Sequence, residues 1–219
     1  PQQGISFLLI DMATPGIKVD PIITMAGDHE VNQVFFDDVV VPKANLVGPE
    51  NEGWTVAKCL LEFERGGGIA AAGIKGHLAH VRSIANSEHL GSGKRLIDDS
   101  HFSSALAQTE IALNALEFTE LKVMSQLSRG GNPGPESSAL KNISVQIHQR
   151  LEELTVEATA YYSAPHGSLL PGYDNNLPPV GPDYAAKAMP RYLNGRAASI
   201  FGGAKEVQKN IIAKVVLGL

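Results

Sequence analysis

An apolar repeat at helical spacing is the feature that most constrains the fold of this 219-residue chain. From about Gly53 onward, apolar residues recur three and four positions apart in three long stretches, which is typical of helices with one buried face. The repeat predicts one helix from about Gly53 to Asn86, a second with its N-cap among residues 98–100, and a third after the GGNPGPESS segment. The expected core positions of the second and third helices are Phe102, Leu106, Ile111, Leu113, Leu116, Val123, Leu127, Leu140, Ile143, Ile147, Leu151, Leu154 and Ala158.

The first fifth of the chain has a different residue pattern. Residues 5–10 and 33–41 are rich in aromatic and β-branched side chains and are bounded by glycine and proline, which predicts two strands. Strands followed by about five helices, without alternation, indicate an α+β fold that is mostly α, with an antiparallel helical bundle as its larger part. We therefore expect a β-domain segment over residues 1–48 and a helical domain over residues 49–219.

The first predicted strand, ISFLLI, is apolar throughout and needs a sheet to join. Too few strands follow it to build that sheet. We therefore expect residues 1–48 to be the end of an incomplete β-domain, and the chain to be the C-terminal part of a longer polypeptide.

Composition excludes several classes of function. The formal net charge is -5 and the Lys and Arg residues form no basic run, which argues against binding to nucleic acid. There is neither a charged-then-apolar leader nor an apolar run of about 20 residues, so we predict a cytoplasmic protein without a membrane span. His77 and His80 lie three apart, but no third metal ligand recurs nearby, and Cys59 is predicted to be a small buried apolar side chain.

Four segments carry a resemblance to a known family. In chain order they are GISFLLIDMATPGIKV, FFDDVVVPKANLVGPENEGW, LLEFERGGGIAAAGIKG and the C-terminal IFGGAKEVQKNIIAKVVLGL. Together they resemble the acyl-CoA dehydrogenases, flavoproteins that are usually tetramers and hold FAD between a middle β-barrel and a C-terminal four-helix bundle. The resemblance implies that this chain is the end of the barrel followed by the bundle, with FAD as cofactor. These residues alone are then expected to be inactive, because most of the barrel is absent from them.

The resemblance also implies a reaction and a base. A carboxylate removes the α-proton of an acyl-CoA thioester while the β-hydrogen leaves as hydride to the flavin, and partial desolvation raises the pKa of that carboxylate towards the working pH. Many members carry this glutamate in the turn that is occupied here by Gly202. Others resemble this chain in having glycine there and a glutamate on the first bundle helix, which assigns the base to Glu64. The alternative for Glu64 is a solvated residue on a helix face.

Neighbouring residues acquire roles by the same resemblance. Arg65 corresponds to an arginine near the active site, where it would orient the base, although a structural ion pair is an open alternative. The backbone N–H of Gly202 corresponds to a donor to the thioester oxygen, where enolate charge develops. Its alternative is a left-handed turn that merely begins the last helix.

The last turn and helix also correspond to a flavin-binding segment, because free N–H groups at a helix N-terminus attract phosphate oxygens. The residues that match are Gly203, Ala204, Glu206 and Gln208, with alanine in place of the usual threonine.

Two flavin-binding motifs of the family are altered, at SEHLGSG and in the proline-rich loop after Tyr162. A second hypothesis is therefore a non-catalytic subunit or oligomerisation module of a heteromeric enzyme. The expected partners are an acyl-CoA substrate and further subunits, as a homo- or hetero-oligomer, while the sequence does not indicate the electron acceptor.

Overall fold

The structure is a computed structural model that describes residues 2–65, 70–131, 134–165 and 180–219, with the side chains of residues 62–65 outside the description. The chain divides into two compact units. The first comprises residues 1–24 and 29–68, and the second comprises residues 25–28 and 69–219. Each unit is described separately below.

The first unit contains two short antiparallel strand pairs. Strand β1 (Phe7–Leu8) pairs with β4 (Leu46–Val47), and β2 (Ile17–Ile23) forms a hairpin with β3 (His29–Phe36). The predicted strand over residues 5–10 is thus only two residues long. The predicted strand over residues 33–41 begins earlier and ends at Phe36.

Sequence reasoning missed β2 because its prolines were interpreted as turn signals. Pro21 lies inside β2, opposite Asn32. Proline cannot donate a ladder hydrogen bond, but an edge strand tolerates it. Gly16 precedes the strand with a positive φ, and a Cβ there would lie 2.1 Å from the carbonyl oxygen of Asp37, so this position requires glycine.

The hairpin carries several apolar side chains that are exposed within the described chain. Val34 and Phe35 are among them, and Phe36 is 59% exposed. Exposed apolar side chains in such a cluster are typical of a surface that another protein element covers.

Helix α1 (Gly53–Arg65) follows β4 in the same unit. The N–H of Gly53 donates to the carbonyl oxygen of Ile5 at 2.7 Å, and a Cβ at Gly53 would lie 2.5 Å from the backbone nitrogen of Phe7. The start of the helix therefore packs directly on the β1 segment. Cys59, predicted to be buried, is exposed on this helix, so that prediction was wrong.

Three long helices form the core of the second unit. They are α2 (Ala70–Ser87), α3 (Ser100–Ser128) and α4 (Glu136–Thr159), and each packs against the other two. The first predicted helix is thus described as two helices, α1 and α2, and the triple glycine between them lies outside the described residues. The fully buried side chains include Phe102, Leu106, Leu113, Leu116, Val81, Ile84, Leu151 and Leu154.

The predicted start of α3 is confirmed. Asp99 is its N-cap, and its Oδ1 accepts from the N–H groups of His101 at 3.0 Å and Phe102 at 2.9 Å. Most of the predicted core positions are also confirmed. Ile111 and Ile143 are exceptions, 69% and 39% exposed respectively.

Two shorter helices complete the unit, α5 (Ala188–Gly195) and α6 (Lys205–Val216), and both pack against α4. The observed architecture is therefore mostly helical, as predicted. Among the described residues, none of the helices combines the length and apolarity that crossing a membrane requires.

The N-terminus of α2 is capped by a side chain from another helix. Glu120 lies in α3 and is 5% exposed, and its carboxylate accepts from the N–H groups of Ala70 and Ala71 at 3.0 to 3.3 Å. These donors belong to the first helical turn, where backbone N–H groups have no partner within the helix. Glu120 thus joins α2 to α3 by a charged hydrogen bond in the core.

Removal of this cap should destabilise the second unit. We expect Glu120→Ala to lower the free energy of unfolding by about 1–3 kcal/mol, because the buried N–H of Ala71 and the half-buried N–H of Ala70 lose their acceptor. Glu120→Gln keeps one acceptor oxygen and should lose less. Glu110→Ala, on the same helix, breaks only an exposed pair with Arg82 and is the matched control. Chemical denaturation measures all three, and equal losses for Glu120→Ala and the control would contradict the assignment.

Candidate functional site

Two consecutive glycines form a left-handed turn between α5 and α6. Gly202 has φ +64° and Gly203 has φ +95°, a region that residues with a Cβ rarely adopt. A Cβ at Gly203 would lie 2.1 Å from the side-chain nitrogen of Gln208, whereas a Cβ at Gly202 would meet no atom of the described chain within 4 Å. Gly203 is thus required by both conformation and space, and Gly202 by conformation alone.

Helix α6 begins directly after this turn. Its N-cap is Ala204, whose methyl group cannot accept a hydrogen bond, so the cap residue supplies no partner to the first N–H groups. Glu206 is exposed in the first turn of the helix, whereas Gln208 is buried against the turn. The helix N-terminus therefore keeps the donors that an anionic group could use.

A lysine from α4 holds both ends of the turn. The Nζ of Lys141 donates to the carbonyl oxygen of Ala198 at 3.0 Å and to that of Gly203 at 2.7 Å. Desolvation lowers the pKa of Lys141, and the nearby carboxylate of Glu206 opposes that shift. The Nδ2 of Asn142 adds a weaker contact with the carbonyl oxygen of Lys205, at 3.4 Å.

Further along α4, the polar contacts continue. Gln149 donates to the carbonyl oxygen of Gly195 at 2.9 Å. The guanidinium of Arg196 donates to the backbone oxygen of Gln149 at 3.1 Å and to the carboxylates of Glu152 at 3.2 Å and Glu153 at 3.1 Å. The same guanidinium lies 4.4 Å from the centre of the Tyr192 ring. We call residues 195–205 the turn segment, and α4 thus contacts it along three helical turns.

A histidine pair continues this polar network towards α2. The Nε2 of His77 lies 3.2 Å from the hydroxyl of Thr155, and its ring meets that of His148 edge-on at 5.4 Å. His148 in turn lies 3.0 Å from the buried carboxylate of Glu152. The pKa of His77 is lowered to about 4, chiefly by burial and also by the charges of His148, Arg191 and His80, while Glu152 opposes the shift.

A cleft beside His77 is lined by side chains from α2, from the residues just before α5 and from α5 itself. They include His80, Tyr184, Lys187 and Arg191. Among the residues that the structure describes, there is no group of three or more His, Cys, Asp and Glu able to hold a metal ion.

The structure brings together only part of the predicted site. Gly202, Gly203, Ala204, Glu206 and Gln208 lie in one turn and the helix that follows it.

Glu64 and Arg65 end α1 in the first unit, and their side chains lie outside the description, so their roles stay predictions. The same holds for the proline-rich loop, which lies outside the described residues over positions 166–179. The altered SEHLGSG segment forms a tight reversal, in which the N–H of Leu90 donates to the carbonyl oxygen of Lys94 at 2.8 Å.

A model of the family "Acyl-CoA dehydrogenase, C-terminal domain" matches residues 51–217. The chain belongs to the acyl-CoA dehydrogenase family. The family predicted from the sequence is thereby confirmed. The match begins just before α1 and covers helices α1 to α6 of the described part of the chain.

Two relatives from Mycobacterium tuberculosis extend the similarity to nearly the whole chain. Acyl-CoA dehydrogenase IpdE1 is 31% identical over 99% of this acyl-CoA dehydrogenase chain and 51% of its own length. Acyl-CoA dehydrogenase FadE26 is 31% identical over 99% of this chain and 52% of its own length. The chain thus spans about half the length of these relatives.

Solved structures show the same arrangement. The ChsE4–ChsE5 complex from Mycobacterium tuberculosis matches all of this chain and 54% of its own with a TM-score of 0.76 and 28% identity. The glutaryl-coenzyme A dehydrogenase glutaryl-CoA complex matches 99% of this chain and 51% of its own with a TM-score of 0.76. The identity of the second is 20%, so that likeness shows the fold alone.

Sequence reasoning missed the residues that hold the turn. Lys141, Gln149 and Arg196 belong to no sequence motif. Lys141 lies 62 positions from its acceptor Gly203, and Gln149 lies 46 positions from its acceptor Gly195. The only local signal was a polar face on α4 opposite the apolar repeat.

The neutral state of His77 predicts acid sensitivity. In the unfolded chain this histidine titrates near 6.5 and in the folded chain near 4, so the unfolded state binds more protons between these values. The contribution of His77 to the free energy of unfolding should be fully present above pH 6.5 and should fall by on the order of 2 kcal/mol as the pH drops to 4, a figure reduced for the partial solvent exposure of this histidine.

We expect His77→Gln to remove this part of the pH dependence. The exposed His101→Gln is the matched control and should keep the wild-type profile. Thermal midpoints recorded across this pH range test the prediction. Parallel profiles for His77→Gln and wild type would show that His77 is not the group responsible.

The two glycines should respond differently to alanine. Each substitution places a Cβ in a left-handed conformation, at a cost of roughly 1 kcal/mol. Gly203→Ala also displaces the buried side chain of Gln208 and should cost more than Gly202→Ala. In a double-mutant cycle, Gln208→Ala should recover part of the loss caused by Gly203→Ala and none of that caused by Gly202→Ala. Equal recovery in both backgrounds would exclude the packing argument.

Proposed function

We propose that this chain is the C-terminal portion of an FAD-dependent acyl-CoA dehydrogenase that oxidises the α,β bond of an acyl-CoA thioester. The main support for the proposal is the left-handed turn of Gly202 and Gly203, which precedes α6 and accepts hydrogen bonds from Lys141 of α4. This turn occurs in a chain that belongs to the acyl-CoA dehydrogenase family. The remaining half of the enzyme would supply most of the β-domain. A four-helix bundle that includes α1 is the expected complete form of the helical domain.

The features around α6 fit the nucleotide half of a flavin. Ala204 leaves the first N–H groups of α6 without a side-chain acceptor from the cap, and the space beside Gly202 is open within the described chain. Phosphate or ribose oxygens are suitable partners for such donors. Gly203, Ala204 and Glu206 would face this group, and Gln208 would keep the turn in shape from its buried position beneath Gly203. The flavin, when bound, supplies the acceptor for the hydride that leaves the substrate's β-carbon.

The residues of this chain would divide the remaining chemistry. Glu64 removes the α-proton as general base, and Arg65 orients its carboxylate. The N–H of Gly202 donates to the thioester oxygen and stabilises the negative charge that develops there as the α-proton leaves. A glycine serves this purpose as well as any residue, because the donor is the backbone.

The exposed hairpin supports the larger assembly. The apolar side chains of β2 and β3, such as Val34 and Phe36, have no cover in the described part of the chain. We propose that the rest of the β-domain covers them. ChsE4–ChsE5, a structural relative, is by its name a complex of two proteins, and it supports the proposal that this chain also works in a homo- or hetero-oligomer.

A second candidate function is a subunit without catalysis, which assembles with an active partner. It is favoured by the altered SEHLGSG segment, where a tight reversal between Leu90 and Lys94 replaces the family's flavin-binding motif. The visible absorption spectrum of the full-length protein and of its complexes separates the two candidates. Bound flavin supports the enzyme, and a colourless protein that forms a complex with an active subunit supports the second candidate.

Glu64→Gln tests the assignment of the base. In the full-length protein, loss of the general base should lower kcat by about 10²–10⁴-fold while the flavin spectrum is retained. Glu62→Gln, two positions away on the same helix, is the matched control and should keep normal turnover. Unchanged kcat in Glu64→Gln would end the assignment, whereas equal loss in both variants would indicate a general effect on the helix.

A further inference from the structure

We propose that Lys141 is a positioning residue that fixes the N–H of Gly202 for the substrate's thioester oxygen. This inference rests on the function proposed above and adds a residue from a different helix to that site. Lys141 does not touch the reacting atoms itself. Its effect passes through the backbone of the turn segment.

The two hydrogen bonds of Lys141 enclose Gly202. One acceptor, the carbonyl oxygen of Ala198, lies four residues before Gly202, and the other, that of Gly203, lies directly after it. The distances are 3.0 Å and 2.7 Å, short enough for charged hydrogen bonds. A single ammonium group therefore fixes both ends of the segment that carries the donor.

The glycine turn follows backbone hydrogen bonds from the N–H groups of Ile200 and Phe201 to the carbonyl oxygen of Ala197, which do not include Gly202. Its two glycines have the widest conformational freedom of any residue, and Phe201 before them is 62% exposed. The contacts of Gln208 with Gly203 fix only the second glycine. The orientation of the Gly202 N–H thus depends on what restrains the backbone on either side of it.

Lys141 can supply that restraint because it belongs to a long helix that is packed against the core. Helix α4 is 24 residues long, and its apolar side, with Ile147, Leu151 and Leu154, is buried in the core. Partial desolvation lowers the pKa of Lys141, so its two hydrogen bonds hold the ammonium group in this position at some cost in solvation.

The consequence concerns rate more than binding. A donor to the developing enolate acts most strongly in the transition state, so its misplacement should lower kcat and kcat/KM together. Displacement of a catalytic group by about 1 Å can cost on the order of 10²-fold in rate. A lysine that served only to hold α6 against α4 would change stability and leave kcat unchanged in the folded enzyme.

The test uses the full-length, flavin-loaded protein with Lys141→Met, which keeps the length of the side chain and removes its donors. Butanoyl-, octanoyl- and palmitoyl-CoA are the substrates, assayed with an artificial electron acceptor well below the melting temperature. We expect kcat/KM to fall by on the order of 10²-fold, with most of the loss in kcat. Lys141→Arg keeps the cation and should recover part of the rate. Lys214→Met, at an exposed position near the end of α6, is the matched control and should leave the rate unchanged.

A second measurement does not depend on turnover. Amide hydrogen exchange of Ile200 and Phe201, whose N–H groups donate to the carbonyl oxygen of Ala197 just before Gly202, should accelerate in Lys141→Met while exchange in the core of α4 stays slow. Normal kcat/KM in Lys141→Met, or unchanged exchange at these two amides, would overturn the proposal. If the wild-type protein oxidises none of the three thioesters, the proposed function fails for these substrates, and the exchange data still decide whether Lys141 fixes the turn.

Discussion

The order of the second unit depends on helix α4, which packs against the apolar core on one side and contacts the polar turn segment on the other. One side of α4 packs Ile147, Leu151 and Leu154 into the core, and the other side presents Lys141, Gln149 and Glu152 to the turn segment. The turn segment is made largely of short 3-10 turns and small residues, so it has few apolar side chains to bury. Hydrogen bonds from α4 to its backbone therefore replace hydrophobic packing as the main source of its order.

Several of these contacts join charged groups, which strengthens the contacts and also makes the loss of one partner more costly. Glu152 is almost fully buried, and its charge is compensated by the guanidinium of Arg196, while the ring of His148 lies 3.0 Å from its carboxylate. Removal of Arg196 would leave a buried carboxylate without sufficient compensation, which is far costlier than loss of an exposed ion pair. A Cβ at Gly195 would lie 1.9 Å from the Glu152 carboxylate, so the backbone there must be glycine for the ion pair to form. The sequence of the turn segment is thus constrained by the charges of α4.

Elements governed by local chemistry could be predicted from the sequence, whereas those governed by distant contacts could not. The apolar repeat predicted α3 and α4, and the acidic residue before α3 predicted its N-cap, because both signals lie within one helix. Ile111 and Ile143 were misplaced because an apolar residue on a helical spacing need not face a neighbour. The contact of Glu120 with the first described residues of α2 could not be predicted, because Glu120 lies 49 positions from Ala71. Gly202 and Gly203 could be recognised in the sequence, whereas the lysine that fixes them could not.

The backbone conformation of the two glycines bears on whether position 202 can hold a catalytic base. At φ +64°, a residue with a side chain at position 202 would cost roughly 1–2 kcal/mol in backbone strain, although the space beside it is open within the described chain. A glutamate at position 202 would place its carboxylate in this turn and would also impose that backbone strain. Glycine relieves the strain but gives the backbone more conformational freedom. If Glu64 on α1 is the base, as we propose, glycine at 202 needs another contact to restore the lost order. Lys141, bonded on both sides of Gly202, is the contact that we propose for this role.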